Sequence, residues 1–103
     1  MIDKILVNAN IFSMKQAIIS SFANTTRLKL LICLKSGSKN VTELIANCGL
    51  SQSAVSQHLE KLRAAGLVTG VRDGREIVYR LRSQKSGELA KSLLNFAKEV
   101  DKK

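Results

Sequence analysis

At 103 residues, with 45% hydrophobic and 24% charged side chains, the chain has apolar material for one small core spanning residues 1–103 and a composition unlike that of disordered segments. Lys and Arg number 17 against 8 Asp and Glu, and the resulting formal net charge of +9 favours a polyanionic partner through counterion release. No apolar run approaches the roughly 18 residues of a membrane-spanning helix, and Asn8, Asn10 and Ser13 interrupt the N-terminal stretch, so a cytoplasmic protein with no membrane partner is expected.

Residues 3 to 22 carry Ile5, Leu6, Ala9, Phe12, Ile18, Ile19 and Phe22, a helical distribution too broad for a single buried stripe. Asn24 then suits the N-cap of a second helix, with Leu28, Leu31, Ile32 and Leu34 turned inward and Gly37 as its stop. The polar turn KSGSKN over residues 35 to 40 follows. Asn40 and Glu43 have the spacing of a capping box, with Asn in place of Ser or Thr, and open a short helix containing Leu44, Ile45 and Cys48.

The segment GLSQSAVSQHLEKLRAAGLV, Gly49 to Val68, carries the most information. Gly49 provides the backbone freedom of a tight interhelical turn, Leu50 plugs that turn into the core, and Ser51 is a good N-cap, so a helix begins near Gln52. Val55, Leu59 and Leu62 recur at i, i+4 and i+7 and form its inner stripe. The opposite face holds Ser53, Gln57 and Lys61, flanked by Gln52 and Ser56. Such small and amide side chains enter a major groove and hydrogen-bond base edges. Polar residues on an outer helix face also serve as plain solvated surface, so the helix by itself leaves both readings open.

After Gly66 the period changes. Leu67–Arg72 and Glu76–Leu81 read as short strands joined by Asp73-Gly74, a hairpin-turn signal, with Arg72 and Arg75 flanking the tip within reach of phosphates or a minor groove. Lys61, Arg63, Arg72, Arg75, Arg80 and Arg82 gather the positive charge around this region, against Glu60, Asp73 and Glu76. A last helix is expected from near Ser83 to about Asp101, with Leu89, Leu93, Phe96, Ala97 and Val100 at helical spacing. Paired with the equally broad first helix, it suggests an interface between two subunits. The fold class is mainly α with a small β-hairpin (α+β), a winged helix-turn-helix in which four helices precede the hairpin and one follows. The helix-turn-helix occupies about 42–66 and the wing about 67–82.

With the strings FANTTRLKLL, VTELI, GLSQSAVSQHLEKLRAAGLV and RDGREIVYRL in this order, the chain resembles the ArsR/SmtB family of bacterial winged-helix transcriptional repressors over about residues 20 to 82. The resemblance implies a homodimer on an inverted-repeat operator in double-stranded DNA. It places Gln52, Ser53, Ser56 and Gln57 where that family reads bases, His58 in the next helical turn, and Arg72 to Arg75 in the wing. Thr25 stands where the family usually has proline. Metal-sensing members carry cysteines at positions that align with Asn40 and Thr42, and others an Asp, His, His and Glu-or-His set on the last helix, where this chain has no histidine. No cofactor or metal is therefore expected, and the inducer stays open.

His58 is the single histidine and borders the apolar stripe; it reads first as a partly packed hydrogen-bonding side chain and second as a phosphate contact. Cys33 and Cys48 lie in apolar patterns and read as free buried thiols, with a thiol switch acting on the recognition helix through Cys48 as the alternative. With no acidic pair at a catalytic spacing and no phosphate-cradling glycine loop, the chain does not read as an enzyme. The leading function is sequence-specific DNA binding in transcription regulation; the alternative is a winged-helix protein-interaction module with only nonspecific DNA affinity.

Overall fold

The computed structural model describes residues 9–101, with side chains from residue 15 onward. Within these bounds the order is helix α1 (Ala9–Ser21), α2 (Thr25–Cys33), a single 3₁₀ turn (Leu34–Ser36), strand β1 (Lys39–Asn40), α3 (Val41–Cys48), α4 (Gln52–Ala64), β2 (Val68–Asp73), β3 (Glu76–Leu81) and α5 (Gln84–Asp101). The expected positions Ile5 and Leu6 lie outside the described residues.

Local chemistry sets most boundaries. Asn24 caps α2 by accepting from the Arg27 amide at 3.0 Å, and Ser51 caps α4 by accepting from the Ala54 amide at 3.3 Å. At α3 the capping box is complete: Asn40 Oδ1 accepts from the Glu43 amide (2.8 Å) and Glu43 Oε1 from the Asn40 amide (2.9 Å). Gly49 ends α3 at φ +66°, a left-handed conformation that an L side chain rarely adopts, and so permits the sharp turn into α4. The end of α4 is a Schellman motif, with the Leu67 amide donating to the Leu62 carbonyl and the Gly66 amide to that of Arg63, both at 3.0 Å.

Helix α2 is the hub of the core. Leu30 and Leu31, with Leu34 of the 3₁₀ turn that follows, have essentially no exposure and meet Leu44 of α3, the Val55, Leu59 and Leu62 stripe of α4, Val68 of β2 and Ala90 of α5. Leu30, absent from the inward set expected from spacing, is fully buried while Ile32 is only half-buried. With α3, α4 and α5 all packed on it, α2 buries more of its circumference than one stripe. Helix α5 comes close to α2 at Gly87, where a Cβ would overlap Lys35 Cγ and sit 3.1 Å from the Leu31 carbonyl oxygen.

The wing differs from expectation in two ways. A third strand is present: β1, only two residues long, pairs antiparallel with β3 through Lys39↔Tyr79 and Asn40↔Val78, giving the order β1-β3-β2. The hairpin pairs Asp73 with Glu76, so its turn is Gly74-Arg75, one residue later than read. Gly74 takes φ +66° in the first central position, the requirement of a II′-type hairpin, and this moves Arg75 from the flank into the tip.

The expectation of two free thiols is corrected. Cys33 and Cys48 form a disulfide with a Cα–Cα separation of 6.7 Å, and each is half-buried. Each cysteine is the last residue of its helix, and the packing of α3 on α2 brings the two ends together; apolar patterning placed each on an inner face without saying that the faces meet. Replacing Leu59 by Ala, which removes a side chain with no exposure from the α2–α4 contact, is expected to destabilise the fold by roughly 2–5 kcal/mol in urea titration.

Candidate nucleic-acid interface

Because Val55, Leu59 and Leu62 are fully buried, α4 has one rotational setting about its own axis, and that setting turns Gln52, Ser53, Ser56, Gln57 and Lys61 to solvent. Each offers a donor or acceptor of the kind that base edges or phosphates accept. The wing stands beside the N-terminal end of this helix. Gln52 and Ser56 share one open cleft with Thr42 and Ile45 of α3 and with Arg75 and Tyr79 of the wing. The wing-tip cation and the first turns of α4 therefore face the same space.

The remaining expected residues sit elsewhere. Arg72 is exposed but borders a separate hollow with Ser38 and Arg80. Lys61 lies on the other flank of α4, beside a hollow between α4 and the end of α1 that Ala17, Ser20 and Arg27 also line. Arg63 is occupied by Glu60 through two hydrogen bonds of 2.8 and 2.7 Å, and this contact holds the Glu60 carboxyl below the ordinary carboxylate range.

His58 is half-buried and accepts a hydrogen bond at Nδ1 from Arg27 Nη1 at 3.0 Å. Arg27 was not singled out in the sequence, although one signal was there: it stands in the first turn of α2, where the helix dipole disfavours a cation unless a tertiary partner holds it. A second unforeseen contact joins the wing to the helix-turn-helix. Asn40 Nδ2 donates to Glu76 Oε2 at 3.0 Å, so one side chain caps α3 and holds β3 where it leaves the tip of the wing.

This architecture, a helix-turn-helix whose second helix presents a polar face beside a basic β-hairpin, is that of a winged helix-turn-helix DNA-binding protein. The sequence pattern described as "Bacterial regulatory protein, arsR family" matches residues 24–69. The chain is 41% identical over 64 residues to the HTH-type transcriptional repressor SmtB of Mycobacterium tuberculosis, a match covering 62% of this chain and 47% of that protein. It thus spans about half the length of that relative. It is 35% identical over 81 residues to the HTH-type transcriptional regulator YgaV of Escherichia coli, covering 77% of this chain and 81% of YgaV. Among solved structures, NolR from Sinorhizobium fredii superposes with a TM-score of 0.73 at 33% identity, over 93% of this chain and 96% of that one. The chain belongs to the ArsR family of bacterial regulatory proteins, a class of DNA-binding transcriptional regulators and not of enzymes.

Burial first, then the charges of Arg27 and Lys61, push the His58 pKa below its ordinary 6.5. The unfolded chain therefore binds this proton more readily, and the stability that His58 contributes is complete above about pH 6.5 and lost as pH falls through the lower folded value. Thermal melting followed from pH 7.5 to about 5 should show a larger loss of midpoint in the wild type than in His58→Asn, which has no proton to gain at this position.

Proposed function

We propose that the protein is a homodimeric repressor that binds an inverted-repeat operator in double-stranded DNA, reading bases with Gln52, Ser53, Ser56 and Gln57 and holding phosphates with Lys61, Arg72 and Arg75. The cleft shared by Gln52, Ser56 and Arg75 carries this reading, since it sets a base-reading edge and a backbone cation side by side. Dimerisation is supported by an uncovered apolar stripe. Leu89, Leu93, Phe96 and Val100 follow one another along α5 at helical spacing and are 37–62% exposed, and Ile19 of α1 is 69% exposed. A two-fold pair of such subunits presents two recognition helices to half-sites about one helical turn apart. Repression is the sense that the name of the relative SmtB carries, and the cytoplasm, at the nucleoid, is the compartment that such a role requires. Among the described residues no single helix is long and apolar enough to cross a membrane.

This reading gives no role to the α3 metal site usual in the family, because Asn40 is committed to its cap and to Glu76 and Thr42 offers no thiolate.

The disulfide favours a second element of the reading, control by thiol oxidation. A hydroperoxide supplies the oxidant. One thiolate of the reduced pair attacks the peroxide oxygen, leaving a sulfenic acid and an alcohol or water, and the other thiol then displaces water from that sulfur to form Cys33–Cys48. Cys48 is three residues from the Ser51 cap of α4, so the cross-link acts at the foot of the recognition helix.

Gln57→Ala and Ser53→Ala are expected to relax base discrimination by about 1–3 kcal/mol at the positions they read, in competition binding with duplexes selected from random sequence. Arg75→Ala should weaken all duplexes alike and reduce the slope of log affinity against log salt by about one, and Phe96→Glu should sediment as a monomer. Specificity retained in both α4 variants would remove them from the reading face. Operator affinity should differ at least about fivefold between dithiothreitol-reduced and peroxide-treated wild type, and not at all in Cys33→Ser or Cys48→Ser; equal affinity of the two wild-type forms would exclude thiol control.

A further inference from the structure

Three hydrogen bonds radiate from one guanidinium. Arg27 donates from Nε to the Ser21 carbonyl, from Nη2 to the Ser20 carbonyl and from Nη1 to His58 Nδ1, each at 3.0 Å. The first two acceptors are the last residues of α1, whose terminal carbonyls lack partners within their own helix. The third lies in the middle of α4, 31 residues away in sequence. Next to this contact, α1 and α4 stand around an open hollow bordered by Ala17, Lys61 and Ala64, which the guanidinium bridges at one edge.

We infer that Arg27 is a positioning residue that ties the recognition helix to the end of α1, with unprotonated His58 as the joint. The assignment rests on α4 being the DNA-reading helix. A planar guanidinium with donors in a rigid fork suits acceptors on two elements at once, and a lysine ammonium cannot span all three. Chemistry at the joint is equally restrictive. Arginine has only donors, so Nδ1 must be the acceptor, which leaves the imidazole neutral with its proton on Nε2. A proton added at Nδ1 sets donor against donor and places an imidazolium beside Arg27 of α2 and Lys61 of α4; α1 faces the site through the Ser20 and Ser21 carbonyls.

The sign of the resulting pH effect separates this role from simple electrostatics. One more positive charge on a DNA-binding face by itself tightens binding to any duplex as pH falls. Release of the joint instead loosens the setting of α4, and the ratio of specific to nonspecific affinity falls. That ratio is to be measured between about pH 8 and 5.5, with a duplex selected from random sequence and a scrambled duplex of the same length. For the wild type, a drop of at least about fivefold on acidification is expected. His58→Asn, which keeps an acceptor at the δ position and cannot take up a proton, should give a flat ratio, and Arg27→Lys a ratio already lowered about fivefold at pH 8. If Arg27→Lys does not fold by circular dichroism, the contrast between wild type and His58→Asn decides. A wild-type preference that is flat with pH, or an Arg27→Lys variant that loses specific and nonspecific affinity equally, as a phosphate contact would, overturns the role of Arg27 alone. No sequence preference at any pH would overturn the reading of α4 itself, and this role with it.

Discussion

The outward polar face of α4 depends on how that helix is seated in the core. Val55, Leu59 and Leu62 have no exposure and lock into the leucines of α2, so the helix cannot roll without opening the core. Interiors packed at this density tolerate few alternative settings, and the outward row from Gln52 to Lys61 inherits that rigidity. The recognition surface is in this sense the reverse side of the hydrophobic core. Seating also explains why α2 is buried around more of its circumference than its neighbours: it is the common wall for α3, α4 and α5.

Polar contacts then refine what the core sets roughly. Asn40 joins the start of α3 to Glu76 next to the tip of the wing, and the two residue pairs of β1 hold β3 beside it, so the wing is carried by the helix-turn-helix instead of hanging free. Arg27 does the corresponding task on the opposite flank, between α1 and α4. Cys33 and Cys48 close a third tie between α2 and α3. Of these three ties only that of Arg27 touches α4 itself, at His58 in its middle; the other two act on α3, the helix that precedes it.

Much of this was legible from local sequence. The caps at Asn24, Asn40 and Ser51, the turn at Gly49 and the stop at Gly66 are decided within four or five residues, and each stands where its residue type indicated. The polar face of α4 followed from the 3.6-residue period of Val55, Leu59 and Leu62. Small displacements arose where two local signals competed: Asp73-Gly74 and Gly74-Arg75 both satisfy a hairpin, and the cross-strand register selected the second. A strand as short as Lys39–Asn40 has no period to detect and exists through its partner Tyr79–Val78.

The sequence by itself determined the sequence-local features: which segments are helices, which face of α4 is polar, that a hairpin follows Gly66, and the net positive charge that suits a polyanion. These depend on propensity, periodicity and capping, interactions within a few residues along the chain. Only the tertiary structure decided that Cys33 meets Cys48, that Arg27 reaches His58, that Leu30 is buried with Leu31, and that Arg75, rather than Arg72, shares the cleft of Gln52 and Ser56. Each of these joins residues on different elements or depends on how many neighbours surround one helix. Such meetings are set by how the packed surfaces come together, which no pattern confined to one segment encodes.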